Sequence, residues 1–464
     1  MTATRIEKDS MGTMEVPEDV LYGAQTARAV ANFPVSGMRF PRAFIRALGL
    51  IKKNAAITNA ELNLLAPAVA AAIEKAAAEV VGGDLDNHFV VDIFQTGSGT
   101  STNMNANEVI AHRACQVAGG AAQIHPNDHV NFGQSSNDVI PTAANMAAAA
   151  EIRYSLIPAL FEMQEALGEK AQAFDDVVKI GRTHLQDATP VRMGQVFSGY
   201  ARQAALGIRR IEEAKEGLRE LPLGGTAVGT GINTHPEFAR RVIARLAAET
   251  GIEFREAVNH FEAQGARDSL VFASGALKSC ACALYKIAND IRFLGSGPRC
   301  GLGELLIPPV QPGSSIMPGK VNPVMAESLI QVCAQVIGND AAVAVGGLSG
   351  NFELNVMIPV MIHNVLQSIA LLTNAVRLFT ARCLRNLQVD RERCAQLVEQ
   401  SLMLATPLAP VIGYDQAAEI AKEAYRSRKT IRELVREKGI LDEGKLAEVL
   451  DLRGMTEPGV SGKG

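Results

Sequence analysis

Five stretches between residues 139 and 384 repeat apolar side chains at helical spacing, and each is far longer than an ordinary globular helix. They run over residues 139–174, 194–218, 260–293, 323–345 and 356–384. Helices of that length cannot wrap a small core. They must lie along one another and bury their apolar stripes mutually. Strands would need period-two runs of β-branched residues, and few are found. Aromatic residues make up only 5% of the chain and tryptophan is absent, while alanine is abundant, which favours helix. The expected fold is therefore mainly α, with a central long five-helix bundle.

The flanks differ from this middle. The first 40 residues, with Pro17 and Pro34, read as irregular chain with a short strand or two. Helical pattern follows over 43–62, over 66–81 with a glycine stop at Gly82-Gly83, and over 104–117. From about residue 389 the chain breaks into short charged amphipathic helices and ends in a Gly/Ser/Lys stub expected to be disordered. At 464 residues the chain is too long for one small core. We expect three segments: a mixed, mostly helical N-terminal domain (1–137), the long-helix bundle (138–388) and a small C-terminal helical domain (389–464).

Four hydroxyl-rich polar loops interrupt the apolar chain, at 96–103, 135–137, 182–187 and 313–322. The last reads Gly313-Ser-Ser-Ile-Met-Pro-Gly-Lys-Val-Asn-Pro323, with Glu327 one turn on. It gathers two hydroxyls, an ammonium and a carboxamide between glycines that permit unusual backbone angles. Asn322-Pro323 has the form of an N-cap followed by a first-turn proline. The helix that follows is apolar nearly all round and is expected to be buried. Hydroxyls, amides and helix N-termini delivered together suit a carboxylate ligand.

A formal net charge of −4 offers no basic footprint for nucleic acid. No uninterrupted apolar run reaches the ~18 residues of a membrane span, and the N-terminus lacks the apolar core of a signal peptide. The seven cysteines are scattered without CxxC spacing and read as small buried hydrophobes in a reducing, cytoplasmic compartment. None of the eight histidines shows HExxH or another helix-borne metal spacing, so no metal is expected. The glycine-rich run from Gly224 to Gly231 lacks the GK[ST] ending of a phosphate loop, and Gly97–Gly99 lacks the rest of a dinucleotide fingerprint, so no cofactor is expected. His184 stands out, because Thr183-His-Leu-Gln-Asp187 surrounds it with polar groups that suit acid–base work.

The Gly313–Pro323 run is similar to the signature loop of the fumarase/aspartase superfamily. Tyr22-Gly-Ala-Gln-Thr-Ala-Arg28, Thr96-Gly-Ser-Gly-Thr100, His125-Pro-Asn-Asp128, Ser135-Ser-Asn-Asp138 and Gly181-Arg-Thr-His-Leu-Gln-Asp-Ala188 resemble further family blocks in the same order. Within the superfamily the chain most resembles class II, iron-independent fumarases, through Gly224-Gly-Thr-Ala-Val-Gly-Thr-Gly-Ile-Asn-Thr-His-Pro236, Pro298-Arg-Cys-Gly-Leu-Gly-Glu304, Gly350-Asn-Phe-Glu-Leu-Asn-Val356 and Ile362-His-Asn364. Phe132-Gly133 departs from the Lys-Ser that fumarases often carry there.

The resemblance implies a three-domain fold whose long helices form the multi-helix core of a homotetramer, with each active site shared among three subunits. It implies a fumarate hydratase, interconverting L-malate and fumarate by anti elimination and addition of water through an aci-carboxylate carbanion. The alternative is an aspartate ammonia-lyase; a silent scaffold is opposed by the retention of Ser314, Lys320, Asn322, His184 and Glu327. By the same resemblance Ser314 is the base, His184 with Glu327 assists the departing hydroxide, and Lys320 and Asn322 hold the carbanion's carboxylate. Ser98, Gly99, Thr100, Ser135, Ser136, Asn137, Thr183 and Ser315 orient the dicarboxylate. His125, Pro126, Asn127 and Asp128 form a secondary dicarboxylate segment.

Overall fold

The computed structural model describes residues 3–119 and 123–460, so the terminal Gly/Ser/Lys stub lies outside the described residues. The fold is mainly helical, as expected, and the described strands pair two by two in five short ladders. The chain divides into two compact units. One holds Met1–Pro158, Gly207–Cys282 and Val332–Thr373, the other Ala159–Leu206, Ala283–Gln331 and Asn374–Gly464.

The first unit begins with the antiparallel hairpin Thr4–Asp9 and Gly12–Pro17. Helices Arg42–Glu61 and Pro67–Gly82 follow, within a residue or so of their expected bounds. Phe44, Leu48, Ile51 and Ala55 recur every three or four positions on the first of these and are wholly buried. Gly83 ends the second at φ +100, a conformation that any side chain would strain. Helix Thr100–Val117 starts earlier than its apolar pattern does, because the polar Thr100-Ser-Thr-Asn run forms its first turn. Its Glu108 carboxylate accepts the N–H groups of Gly23, Gln25 and Thr26 and the Thr26 hydroxyl, fixing the start of helix Ala24–Asn32.

The stretch expected as one helix over 139–174 is Ser136–Glu151 and Ile157–Ala173, joined through a π-helical turn at Ile152–Leu156. Pro158 sits just beyond that turn, and a proline's ring and missing N–H favour such local rewinding. Within the first unit, Ser274 and Lys278 of helix Asp268–Leu294 bond Asp340 of helix Val324–Gly347 at 2.8 and 2.6 Å. Asn339 donates to Gln367 and Ser368 of helix Ile358–Phe379, at 3.0 Å each.

The expectation that the 323–345 helix is buried all round does not hold within this chain. Ile337 and Val345 stand 41% and 56% exposed. Phe272, Phe293 and Leu378 on other long helices are exposed as well. By length and composition, Asp268–Leu294, Val324–Gly347 and Ile358–Leu384 are apolar enough to cross a membrane. The count of uninterrupted apolar residues missed this, because isolated polar groups such as Asp340 break the runs without lowering the mean hydropathy much.

In the second unit the 182–187 loop is the tip of a β-hairpin, Val178–Thr183 with Gln186–Arg192. Its strands are short and bulged between Ile180 and Arg182, so the period-two signal is weak. The C-terminal helices enclose a core of Val398, Leu404, Ile420, Leu434 and Val449, against which Ile180 of the hairpin packs. Four cysteines are buried as expected, but Cys282 and Cys300 are exposed and Cys115 is intermediate.

One contact in the first unit tolerates no side chain. A Cβ on Gly97 would fall 1.7 Å from the Val356 carbonyl oxygen, where Ile358 N–H also bonds Gly97 O at 3.1 Å. Gly97→Ala must push these backbones away from each other, so we expect a loss of ~2–3 kcal/mol of stability, read as a lower denaturant midpoint.

Candidate functional site

In the first unit the hydroxyl-rich loops 96–103 and 135–137 sit at helix starts. Gly99, at φ +74, is the N-cap of helix Thr100–Val117 and accepts the N–H groups of Thr102 and Asn103 on its carbonyl. A side chain there would press on Ile140 at 2.8 Å, so glycine allows this turn to touch helix Ser136–Glu151. Ser98 Oγ and Thr100 Oγ1 lie 2.9 Å apart. Ser135 caps the next helix in a reciprocal box with Asp138. Asp138 also accepts from Gly224 N–H and Thr226 N–H at 3.0 Å, and Asn137 donates to Ala227 O at 2.8 Å. Ser136 Oγ accepts from Asn103 at 3.0 Å, which ties the two helix starts together. The first unit thus brings together Ser98, Gly99, Thr100, Ser135, Ser136 and Asn137, with the glycine-rich 224–227 turn and Val356 packed beside them.

The second unit holds the remaining candidates. The two-residue tip His184-Leu185 has φ of +57 and +62, left-handed values that neither residue adopts cheaply. Just before it, Arg182 bonds the buried Glu304 carboxylate at 2.7 Å, with Lys179 at 3.6 Å. Thr183 lines a cavity of about 830 Å³ with Arg182, Leu185, Tyr200 and Asp290. In the 313–322 loop, Gly313 N–H bonds Lys320 O, and Asn322 Nδ2 bonds Gly313 O, both at 2.7 Å. Asn322 therefore clasps the loop closed, and the helix starts at Val324 rather than on an Asn322 cap. Ser314 Oγ accepts the N–H groups of Ile316 at 3.2 Å and Met317 at 3.0 Å. Ser315 and Lys320 are exposed, and Lys320 and Asn322 line a cavity of about 530 Å³ with Arg292, Phe293 and Pro298. Glu327 is half-buried in the first turn of its helix. Among the described residues, no hydrogen bond or ion pair joins the side chains of Ser314, His184, Lys320 and Glu327 to one another. Nor do three or more His, Cys, Asp or Glu side chains gather as a metal cluster.

A lyase family model matches residues 12–338, and a fumarase C C-terminus model matches residues 404–457. The chain is 55% identical over 459 residues to a class II fumarate hydratase of Halobacterium salinarum, covering 98% of each. It is 55% identical over 450 residues to that of Mycobacterium tuberculosis strain H37Rv, covering 97% of this chain and 94% of the relative. The crystal structure of a class II fumarase from Schistosoma mansoni superposes with a TM-score of 0.95 at 40% identity, over 98% of this chain and all of that one. The chain belongs to the class II fumarase family.

In this fumarase-family chain the segment expected as a secondary dicarboxylate site forms a short turn of its own ahead of helix Ser136–Glu151. His125 caps the π-helical turn Pro126–Val130, its Nδ1 accepting the N–H groups of Asn127 at 3.3 Å and Asp128 at 3.2 Å. A nitrogen that accepts those bonds carries no proton, so the 3.2 Å approach of the Asp128 carboxylate is not an ion pair in that tautomer. Sequence reasoning missed Glu304 as the anchor of the His184 hairpin and Lys52 as a group beneath Ser136. For Lys52 a signal existed: it occupies a helical position whose neighbours Leu48, Ile51 and Ala55 are core residues.

Proposed function

We infer that this protein is a fumarate hydratase of class II, a hydro-lyase interconverting L-malate with fumarate and water. The observation that carries the inference is the 55% identity to a named class II fumarate hydratase across 98% of both chains. An aspartate ammonia-lyase would share the carbanion chemistry and differ in the leaving group, and the relatives do not favour it.

The reaction needs a base for the weakly acidic C3 proton and an acid, or a positioned water, for the C2 hydroxide. Above all it needs donors for the dianion that forms on the adjacent carboxylate. We assign the base to Ser314, the stabilising donors to Lys320 and Asn322, and the assistance at C2 to His184 with Glu327. Ser98, Gly99, Thr100, Ser135, Ser136, Asn137, Thr183 and Ser315 orient the dicarboxylate, and His125–Asp128 is a secondary dicarboxylate segment. The two N–H groups aimed at Ser314 Oγ support the first assignment, since they favour an alkoxide.

Within its own unit Ser314 bonds to none of the other candidate side chains, which fits an active site completed by other subunits. Exposed apolar side chains on the long helices, such as Phe272, Val345 and Leu378, fit burial in a homotetramer. We also propose the three-segment domain division and a cytoplasmic location, with no cofactor, nucleic acid or membrane partner.

The test is ultraviolet absorbance of fumarate, offering L-malate and L-aspartate in parallel after chelator treatment. Fumarate from malate alone, at a rate the chelator leaves unchanged, is the expected result. Fumarate from aspartate alone would move the protein to the ammonia-lyases.

A further inference from the structure

Lys52 is wholly buried on helix Arg42–Glu61, yet among the described residues no carboxylate bonds it. Its Nζ donates to Asn131 Oδ1 and to Gln134 Oε1, each at 2.9 Å. Buried lysines are rare without an ion partner, and an apolar residue of similar length would fill the space at less expense. The geometry points to a positioning role for Lys52 in dicarboxylate binding: its buried amine orders the amides behind Ser136 and offsets the negative charge of Asp138. The proposal rests on the fumarase reading and on Ser136 as a substrate ligand.

Two observations carry it. The first is a directed chain of hydrogen bonds. Asn131 Oδ1 receives Lys52 at 2.9 Å and the amides of Asn103 and Asn107 at 3.2 Å each. The same Asn103 amide donates to Ser136 Oγ at 3.0 Å. A hydroxyl that accepts from behind keeps its own proton for an acceptor in front, which is what a carboxylate provides. Lys52 thus fixes the orientation of Asn131, which fixes Asn103, which turns the Ser136 proton outward.

The second is charge. Asp138 is also wholly buried, and its carboxylate accepts from Ser135 N–H at 2.9 Å and from Gly224 and Thr226 N–H. Burial pushes this carboxyl up from its ordinary value, while the three N–H bonds and the Lys52 ammonium pull it back toward the charged form, in the very turn that must receive a dianion. Uncompensated, that charge would repel the substrate. Around Lys52, the neighbours from helix Thr100–Val117 are the neutral Asn103 and Asn107, and those from the 131–134 segment are the neutral Asn131 and Gln134. Asp138, from helix Ser136–Glu151, is the charged group whose field reaches the amine.

A pH dependence follows. Burial pushes the Lys52 amine down to about 7, against the pull of Asp138. Above neutrality the free enzyme therefore loses the compensating charge, whereas a bound dianion favours the ammonium. Dicarboxylate affinity should fall as pH rises through and beyond 7, with far less change in turnover.

The experiment is steady-state fumarate hydration by the full-length enzyme from pH 6 to 9. Inhibition by succinate, a dicarboxylate with no double bond to hydrate, serves as a readout of affinity alone. For the wild type, KM and the succinate inhibition constant are expected to climb with pH. Lys52→Met should raise both about tenfold at pH 6.5, the equivalent of one pKa unit, and flatten the climb, with kcat changed far less. Gln134→Glu sets a carboxylate beside the amine and should move the climb to higher pH. A folded Lys52→Met enzyme that keeps the wild-type climb overturns the proposal. If that variant does not fold, an unshifted climb in Gln134→Glu overturns it instead. A wild type that makes no malate from fumarate would sink the fumarase reading itself.

Discussion

Ser314→Ala is expected to lower kcat by ~10²-fold or more while leaving the denaturant midpoint within experimental scatter. The hydroxyl sits in a half-exposed loop, so its loss removes little packing. What disappears is the oxygen on which the Ile316 and Met317 N–H groups converge at 3.2 and 3.0 Å. An unassisted serine hydroxyl is far too weak an acid to serve as a base at neutral pH. Two backbone donors cost no reorganisation at the moment of reaction and lower the energy of the alkoxide. Gly319, at φ +81, and the Gly313–Lys320 and Gly313–Asn322 bonds hold the loop in the shape that aims them. His184→Asn is expected to show a loss of similar size, with KM moving much less than kcat. A Ser314→Ala enzyme with near-normal turnover would remove this residue from the mechanism, and the convergent N–H groups would then be only a turn.

The long helices were legible because their signal is redundant: dozens of apolar side chains report one period, and Pro67, Gly83 and Ser135 mark ends by local chemistry. The Val178–Arg192 hairpin was not, since its strands are six and seven residues long and bulged, and its tip has no glycine or asparagine to announce a left-handed turn. The burial of the 323–345 helix was misjudged for another reason. Composition tells which side chains avoid water but not whether their partner is the same chain, and Ile337 and Val345 remain open here. The candidate site was legible as motifs, and its internal ties were not. Asn322 looked like a helix cap and instead clasps Gly313, because both bonds ask for the same short polar side chain.

Glu304→Ala is expected to destabilise the protein by ~3–5 kcal/mol, the usual penalty for stripping the partner from buried charges. Glu304 is wholly buried, and it faces Arg182 at 2.7 Å and Lys179 at 3.6 Å, both largely shielded from water. Burial already pushes the Lys179 amine below the ordinary lysine value, and Glu304 is the main group pulling it back. Without the carboxylate, one of the two cations must lose its proton or drag water inward. The Arg182 guanidinium would be left without its carboxylate partner, so the strain falls on the strand that carries it. That strand leads within two residues to His184 and Leu185, whose left-handed backbone persists only while the hairpin beneath is fixed. The loss should therefore appear twice: as a lower denaturant midpoint, and as a fall in kcat of ~10-fold or more under conditions where the variant is still folded. Glu304→Gln, which keeps an acceptor for Arg182 but no charge, should sit between the variant and the wild type on both measures. If Glu304→Ala lost stability but kept full turnover, the hairpin tip would hold its shape without the buried pair, and the anchoring of His184 would have to come from the Gln186–Arg192 strand alone.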